Sequence, residues 1–199
     1  MTLCALLWAC VVAPQQDRSS EQSVPAPRRT QASASGPGLV DLYGQEVHPL
    51  ASARRPVVLL FAAVECPFTS DYAGEIQRLA ADYGREADFW IVYTDARAGV
   101  ADLREHARAQ GYRVRIARDT EQSFARLAGI EVTPEAAVFS GAGELVYSGR
   151  IDDRWLDRDH ARSAPTVRDL ERVLLALLAG TALERMRTRA VGSPLPSGR

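Results

Sequence analysis

Residues 56–69 read PVVLLFAAVECPFT, and three signals coincide there. Pro56 to Val64 is a continuous apolar run, which is typical of a strand covered on both faces of a sheet. Cys66 and Pro67 follow directly, and proline favours the first turn of a helix because its missing N–H has no partner there. The segment therefore predicts a buried strand that leads through a cysteine into a helix.

The residues after Pro67 continue an alternation of helix and strand. Apolar side chains recur at helical spacing, at Tyr72, Ile76, Leu79, Ala80 and Tyr83. Phe89 to Tyr93 is a second apolar run. Because a helix separates the two runs, we expect the two strands to pair in parallel.

The remaining segments complete an α/β pattern. We predict two short strands around Gly44, a helix at about 100–110, a strand at 114–117, a helix at 121–128, a hairpin at 136–148 and a last helix from a capping-box-like Thr166 to Gly180. The expected fold class is α/β, with a central mixed sheet flanked by helices.

Composition narrows the function classes. The chain has 199 residues, with 24 basic and 25 acidic side chains and a formal net charge of −1. This balance lacks the basic surface of a nucleic-acid-binding protein, so no nucleic-acid partner is expected. Three cysteines in a chain of this length do not form a disulfide scaffold.

The N-terminal region differs in composition from the rest. Residues 1–13 are apolar and uncharged, and residues 14–37 are rich in Pro, Ser, Gln and Ala, as in a flexible linker. We interpret 1–13 as a secretory or lipoprotein signal in which Cys10 is lipidated, which predicts an extracytoplasmic protein anchored to the membrane through that lipid alone. An ordinary frayed N-terminus is the alternative. The expected domain spans 38–180, with 181–199 as a C-terminal tail.

Cys66 is the candidate reactive residue. Unpaired backbone N–H groups and the dipole at the start of a helix favour an anion, so a thiolate at this position is stabilised. A lone cysteine can also be a buried apolar filler. We therefore predict that Cys66 is a functional thiol that alkylates rapidly. We expect the protein to use no cofactor and no metal.

Three segments resemble the thioredoxin-like superfamily. Val57 to Val64, Cys66-Pro-Phe-Thr69 and Val132-Thr-Pro134 are similar to its central strand, active-site loop and cis-proline loop. Between about Leu39 and Gly180 the chain resembles the bacterial redoxin branch, grouped with the alkyl hydroperoxide reductase and thiol-specific antioxidant proteins. The resemblance implies a helix-strand insertion at 100–117. It also implies that Pro67, Thr69, Thr133 and Pro134 contact an extended substrate beside Cys66.

The chain departs from that family at three positions. Thr69 stands where a dithiol oxidoreductase has its second cysteine. Ala63 stands where a typical peroxiredoxin has a threonine. Ser193 stands where relatives of the redoxin branch often have a cysteine after the last helix. If Cys10 is lipidated and Cys4 is removed, Cys66 is the only thiol left, and any redox cycle must then use a thiol from outside the chain.

Several charged side chains could change the ionisation of Cys66. Arg150 and Arg154 follow the hairpin and are expected near Cys66, where either could stabilise a thiolate, although a solvated charged loop is the simpler interpretation. An ionised Glu65 close to the sulfur would raise the pKa of Cys66. The three histidines show no metal-ligand spacing with Cys66.

These observations favour a thiol-based oxidoreductase with Cys66 as its single attacking thiol. The reaction would be thiol–disulfide exchange or peroxide reduction, with an external thiol reductant or a disulfide-containing protein as partner. The first alternative is a non-catalytic module that holds an extended partner segment beside Pro134. A metallochaperone-like role is a further alternative, although one cysteine without a nearby histidine offers few metal ligands.

Overall fold

The apolar run after Pro56 forms a central strand of a mixed sheet, in a computed structural model that describes residues 37–51 and 53–195. The strands are β1 (Leu39–Asp41), β2 (Glu46–Val47), β3 (Val57–Ala62), β4 (Asp88–Tyr93), β5 (Arg115–Arg118), β6 (Val132–Thr133), β7 (Glu135–Phe139), β8 (Leu145–Gly149), β9 (Met186–Arg187) and β10 (Ser193–Pro194). The helices are α1 (Pro67–Asp71), α2 (Ala73–Tyr83), α3 (Val100–Ala109), α4 (Ser123–Ala128) and α5 (Asp169–Leu178).

The main sheet has eight strands in the order β2-β1-β5-β4-β3-β7-β8-β9. Strands β3, β4 and β5 are parallel, as the intervening helices predict. Strand β7 is antiparallel to β3 and forms a hairpin with β8. This is the thioredoxin-like arrangement of a mixed sheet with flanking helices, and α3 and β5 form at the predicted insertion.

Both faces of the sheet are covered, which explains the unbroken apolar run of β3. Val58 and Leu60 point toward the face that packs against α2, α3 and α5. Leu59 and Phe61 point toward the opposite face, where Phe124 of α4 packs. Successive side chains of a strand alternate between faces, so a strand between two helical layers must be apolar at every position.

The predicted helix after Pro67 is divided into α1 and α2 at Tyr72. The Tyr72 N–H donates to the Phe68 carbonyl at 3.2 Å, and its carbonyl accepts from Ile76 at 2.9 Å, so hydrogen bonding continues through the junction. The Tyr72 hydroxyl donates to Asp152 Oδ1 at 2.7 Å. This bond fixes the junction to the loop that follows β8.

The start of the last helix differs from the prediction. Helix α5 begins at Asp169, and its preceding residue makes no side-chain capping bond. The Thr166 and Val167 amides donate to Asp153 Oδ1 at 2.6 and 2.8 Å, and the Thr166 hydroxyl bonds the same carboxylate. The predicted capping box is wrong because a carboxylate from another loop takes the place of the local cap.

The segment after Gly180 is part of the domain rather than a tail outside it. Strand β9 pairs in parallel with β8 at the edge of the main sheet. Strand β10 pairs antiparallel with β6 in a separate two-stranded sheet. Two-residue strands carry no readable periodicity, so the sequence pattern did not reveal them.

Among residues 37–51 and 53–195, no helix combines the length and apolar character needed to cross a bilayer.

Candidate functional site

Cys66 lies at the junction of β3 and α1, as predicted. It precedes the first helical residue with an extended backbone, at φ −89° and ψ 111°, and Pro67 begins the helix. The preceding loop is held by Asp95, which accepts the Val64 amide at 2.8 Å. The junction therefore fixes the backbone on which the sulfur is carried.

The loop before β7 faces the cysteine. The Thr133–Pro134 peptide bond is cis. The Cys66 thiol donates to the Thr133 carbonyl oxygen, with Sγ and oxygen 2.8 Å apart. The structure thus brings together Cys66, Thr133 and Pro134, three of the residues selected from the sequence.

Hydroxyl groups surround the sulfur. The hydroxyls of Thr69 and Thr133 are buried beside the sulfur and have no other hydrogen-bond partner in the described part of the chain. Burial raises the pKa of the Cys66 thiol, but hydrogen bonds from the side chains of Ser193, Thr133 and Thr69 and from the Ser193 backbone outweigh burial and lower the pKa below its ordinary value. The site can hold a thiolate through neutral donors.

This explanation of the lowered pKa differs from the sequence-based one. The sequence predicts that the start of a helix stabilises the thiolate, but the helix that follows Cys66, α1, has only five residues. The hydrogen bond that lowers the pKa of Cys66 most comes from Ser193, which lies far along the chain. Glu65 is exposed, and burial, rather than that carboxylate, is the leading influence that raises the pKa.

Neighbouring side chains bury the sulfur of Cys66. Only 2% of its surface is exposed. Phe68, Trp155 and Val191 pack around it together with Ala63, and the Phe68 and Trp155 rings meet edge to face with centroids 4.8 Å apart. Rapid alkylation therefore does not follow from the lowered pKa alone, because a reagent must first reach the sulfur.

The two candidate arginines have other partners. The Arg150 guanidinium donates to Asp169 at 2.6 Å. Arg154 donates to the Asp71 carbonyl oxygen at 3.5 Å. The loop that carries them does approach the site, but through Trp155.

The other predicted site residues divide between buried and exposed. Thr69 is fully buried beside the sulfur, Pro134 is buried and Pro67 is exposed. Cys10 lies outside the residues that the structure describes. Within the described ranges, no cluster of three or more His, Cys, Asp or Glu residues could hold a metal ion.

A buried carboxylate supports the cis-proline loop. Glu135 Oε2 accepts the amides of Glu131 at 2.9 Å and Val132 at 3.3 Å. Burial raises the pKa of Glu135, although these amides and Arg187, whose nitrogen lies 3.6 Å from Oε1, favour the charged form. Glu135 therefore fixes the backbone immediately before Thr133.

Sequence reasoning missed three residues of this site. Ser193 was noted only as a missing cysteine, and nothing in the local pattern indicates that it returns to Cys66. Glu135 reads as an ordinary charged residue at the start of a strand. The sequence did offer one indication that Trp155 is buried, because a tryptophan is unusual within a charged segment such as the one around it.

No protein-family model and no curated protein sequence matches the chain. Several solved structures are similar to the chain. An uncharacterised conserved protein of Geobacillus kaustophilus aligns with a TM-score of 0.69 and 22% identity, over 82% of this chain and 90% of that one. A hypothetical protein of Sinorhizobium meliloti gives a TM-score of 0.69 and 24% identity, over 82% and 91% of the two chains.

A third similar structure is a secreted disulfide oxidoreductase of Mycobacterium tuberculosis. It aligns with a TM-score of 0.52 and 16% identity, over 75% of this chain and 98% of that one. At these identities the comparisons establish the thioredoxin-like fold. The chemistry of this chain must be argued from its own site.

Proposed function

We propose that this protein is a thiol–disulfide oxidoreductase of thioredoxin-like fold in which Cys66 is the single attacking thiol. The observation that carries the proposal is the position of Cys66 at the β3–α1 junction, with its sulfur 2.8 Å from the Thr133 carbonyl oxygen and with neighbouring hydroxyl groups that lower the pKa of the thiol. A lowered pKa increases the fraction of thiolate, which is the nucleophile that such exchange needs. The Mycobacterium tuberculosis relative, described as a disulfide oxidoreductase, supports the same reaction class.

The exchange has two steps. The Cys66 thiolate attacks one sulfur of a partner's disulfide, so that a bond forms between Cys66 Sγ and that sulfur while the partner's S–S bond breaks. The second partner sulfur leaves as a thiolate and takes a proton from water. An external thiolate then attacks the mixed disulfide, forms a new disulfide with the partner sulfur and releases Cys66 as a thiolate.

The lifetime of the mixed disulfide tests this mechanism. Thr69 is fully buried beside Cys66 and cannot act as a resolving thiol. Thr69→Cys supplies such a thiol, and an intramolecular attack should shorten the lifetime of the adduct with insulin by at least about tenfold. The measurement follows Cys66 adducts on non-reducing gels over time.

Ser70→Cys is the matched control for that experiment. Ser70 is exposed on the next position of α1, so its new thiol should leave the adduct lifetime unchanged. A wild-type protein that binds a reduced partner but forms no adduct through Cys66 would contradict the monothiol mechanism.

Peroxide reduction is a second possible reaction of Cys66, which the resemblance to redoxins implies. It would oxidise the Cys66 thiolate to a sulfenic acid, with the peroxide reduced to an alcohol or water and an external thiol restoring the cysteine. Ala63 has no hydroxyl to take the place of the threonine that a typical peroxiredoxin has at that position. Disulfide exchange is therefore the preferred reaction.

A binding module is the second candidate function. It is favoured by the 2% exposure of Cys66, because a sulfur that no partner can reach does no exchange. In that case the thioredoxin-like fold would hold an extended segment beside Pro134 without covalent chemistry. The absence of any adduct in the insulin experiment would select this alternative.

We further propose that the protein acts outside the cytoplasm, anchored by lipid on Cys10. The support is the apolar segment 1–13 followed by the polar segment 14–37. An oxidising compartment also supplies the disulfide-containing proteins that the exchange requires.

A further inference from the structure

Residues 191–195, which we call the strap, form part of the cover over Cys66. Val191 packs against the apolar cluster that contains Cys66, and Ser193 hydrogen-bonds the sulfur. Leu195 packs against the core on the α4 face of the sheet. The strap therefore crosses the site and is attached on both sides of the sulfur.

The strap pairs with the backbone beside the cis-proline. In the antiparallel register of β10 and β6, Ser193 lies opposite Thr133 and Pro194 opposite Val132. The Leu195 amide then donates to the Glu131 carbonyl at 3.0 Å. The edge of β6, which an extended partner segment would need, is thus occupied by the chain itself.

Gly192 permits this close approach. A Cβ atom built on Gly192 would lie 2.1 Å from the Thr133 carbonyl oxygen and 2.7 Å from its carbon. These are backbone atoms of the cis-proline loop, so they cannot move aside as a flexible side chain would. Any side chain at position 192 must displace the strap, the loop or both.

We propose that the strap is a replaceable strand that a partner's extended disulfide segment must displace before Cys66 can react. This inference rests on the proposed function for the identity of the partner. Ser193 occupies the position that the partner's sulfur must reach. The preferred partner segment therefore has a small residue before its cysteine and an apolar residue two positions after it, as Gly192 and Leu195 flank Ser193.

The attachment of the strap is small enough to be replaced. Strands β6 and β10 have two residues each, and their sheet has only these two strands. On its other side the strap borders an open groove of about 1180 Å³, whose lining includes Gly192, Pro194, Trp155 and Leu156. A segment held by so few bonds opens without unfolding the sheet.

Gly192→Ala in the full-length chain tests the proposal. Iodoacetamide labelling of Cys66 is followed by mass spectrometry of the peptide that contains it, at a pH high enough for the rate to have reached its plateau. The plateau reports access rather than ionisation, and it should rise at least about tenfold as the open population increases. Gly74→Ala is the matched control, because a Cβ there meets nothing within 4 Å and the rate should not change.

A peptide of the sequence 188–195 extends the test to binding in trans. Added to Gly192→Ala, it should occupy the vacated edge of β6 and return the labelling rate toward that of the wild type. The same peptide with alanine at the glycine position should have no effect. A Gly192→Ala protein with wild-type circular dichroism and wild-type labelling would overturn the proposal, as would a native peptide that fails to slow the labelling of a fast-labelling variant.

If Gly192→Ala does not fold, hydrogen exchange of the wild type tests whether the strap opens while the rest of the domain stays folded. The Leu195 amide should exchange at least about a hundredfold faster than that of Ile91 in β4, after correction for intrinsic rates. Equal protection would mean that the strap opens only with the whole domain and would overturn the proposal. Neither readout requires disulfide exchange, so a failure of the proposed function remains distinguishable.

Discussion

At the scale of single residues, the site is defined by hydroxyl groups that hold a sulfur. Thr69 belongs to α1, Thr133 to β6 and Ser193 to β10, and the fold brings these three elements together at the sulfur. Neutral donors stabilise a thiolate without placing a fixed positive charge beside it. The sulfur therefore depends on hydrogen bonds rather than on an arginine.

The pKa of Cys66 tests the role of Ser193. Ser193→Ala removes the side-chain donor with the largest lowering influence while the sulfur remains buried, so the pKa of Cys66 should rise. Thiolate absorbance at about 240 nm, corrected with a Cys66→Ser protein, gives the titration midpoint.

Ser140→Ala provides a comparison in the β7–β8 turn, remote from the sulfur. Its hydroxyl accepts the Ala142 and Glu144 amides, and its loss should leave the midpoint of Cys66 in place. A midpoint that is equal in wild type and Ser193→Ala would show that Ser193 does not stabilise the thiolate.

At the scale of elements, strand β6 is the part that organises the site. Its Thr133 carbonyl oxygen accepts a hydrogen bond from the Cys66 thiol, and its backbone pairs with β10. Glu135 fixes the backbone that enters it. A strand of two residues thus acquires its geometry from a buried carboxylate rather than from a long ladder.

Glu135 should also leave a signature in the pH dependence of stability. Burial raises its pKa in the folded protein, so just above the ordinary glutamate pKa the folded state keeps a proton that the unfolded state has lost. The contribution of Glu135 to the free energy of unfolding therefore falls as pH rises through this window. Glu135→Gln cannot titrate, and its amide oxygen can still accept both backbone bonds.

Urea unfolding from about pH 4 to about pH 8 measures this effect. The free energy of unfolding of Glu135→Gln minus that of the wild type should increase with pH. Glu131→Gln is the control, since Glu131 also contacts Arg187 but its side chain is 80% exposed. A Glu135→Gln difference that stays constant across the range would refute the raised pKa.

At the scale of the whole molecule, the limits of prediction follow from the range of the interactions. The β3 run and the Cys66-Pro67 junction were readable because strand burial and helix entry are local properties. The contact of Ser193 with Cys66 and that of Asp153 with Thr166 depend on residues brought together only by the fold. The strands of the main sheet other than β9 were therefore predictable, whereas the cover of the sulfur and the true start of α5 were not.

The location of the full-length chain is a prediction at this scale. If Cys10 carries lipid, the protein should be recovered with membranes and released by detergent, and Cys10→Ala should abolish that association. Cell fractionation with immunodetection measures it, and Cys4→Ala, which changes the other N-terminal cysteine, is the comparison. Recovery of an unprocessed wild-type chain in the soluble fraction would exclude the anchor.

The pairing of β10 with β6 also sets the order in which the molecule can be completed during its synthesis. Cys66 leaves the ribosome early, with the strand that carries it, whereas residues 193–195 are among the last of the described chain to emerge. Until those residues emerge, a nascent chain lacks part of the cover over its sulfur. Protection of the thiol by residues 193–195 therefore comes only after the other described helices and strands have been made.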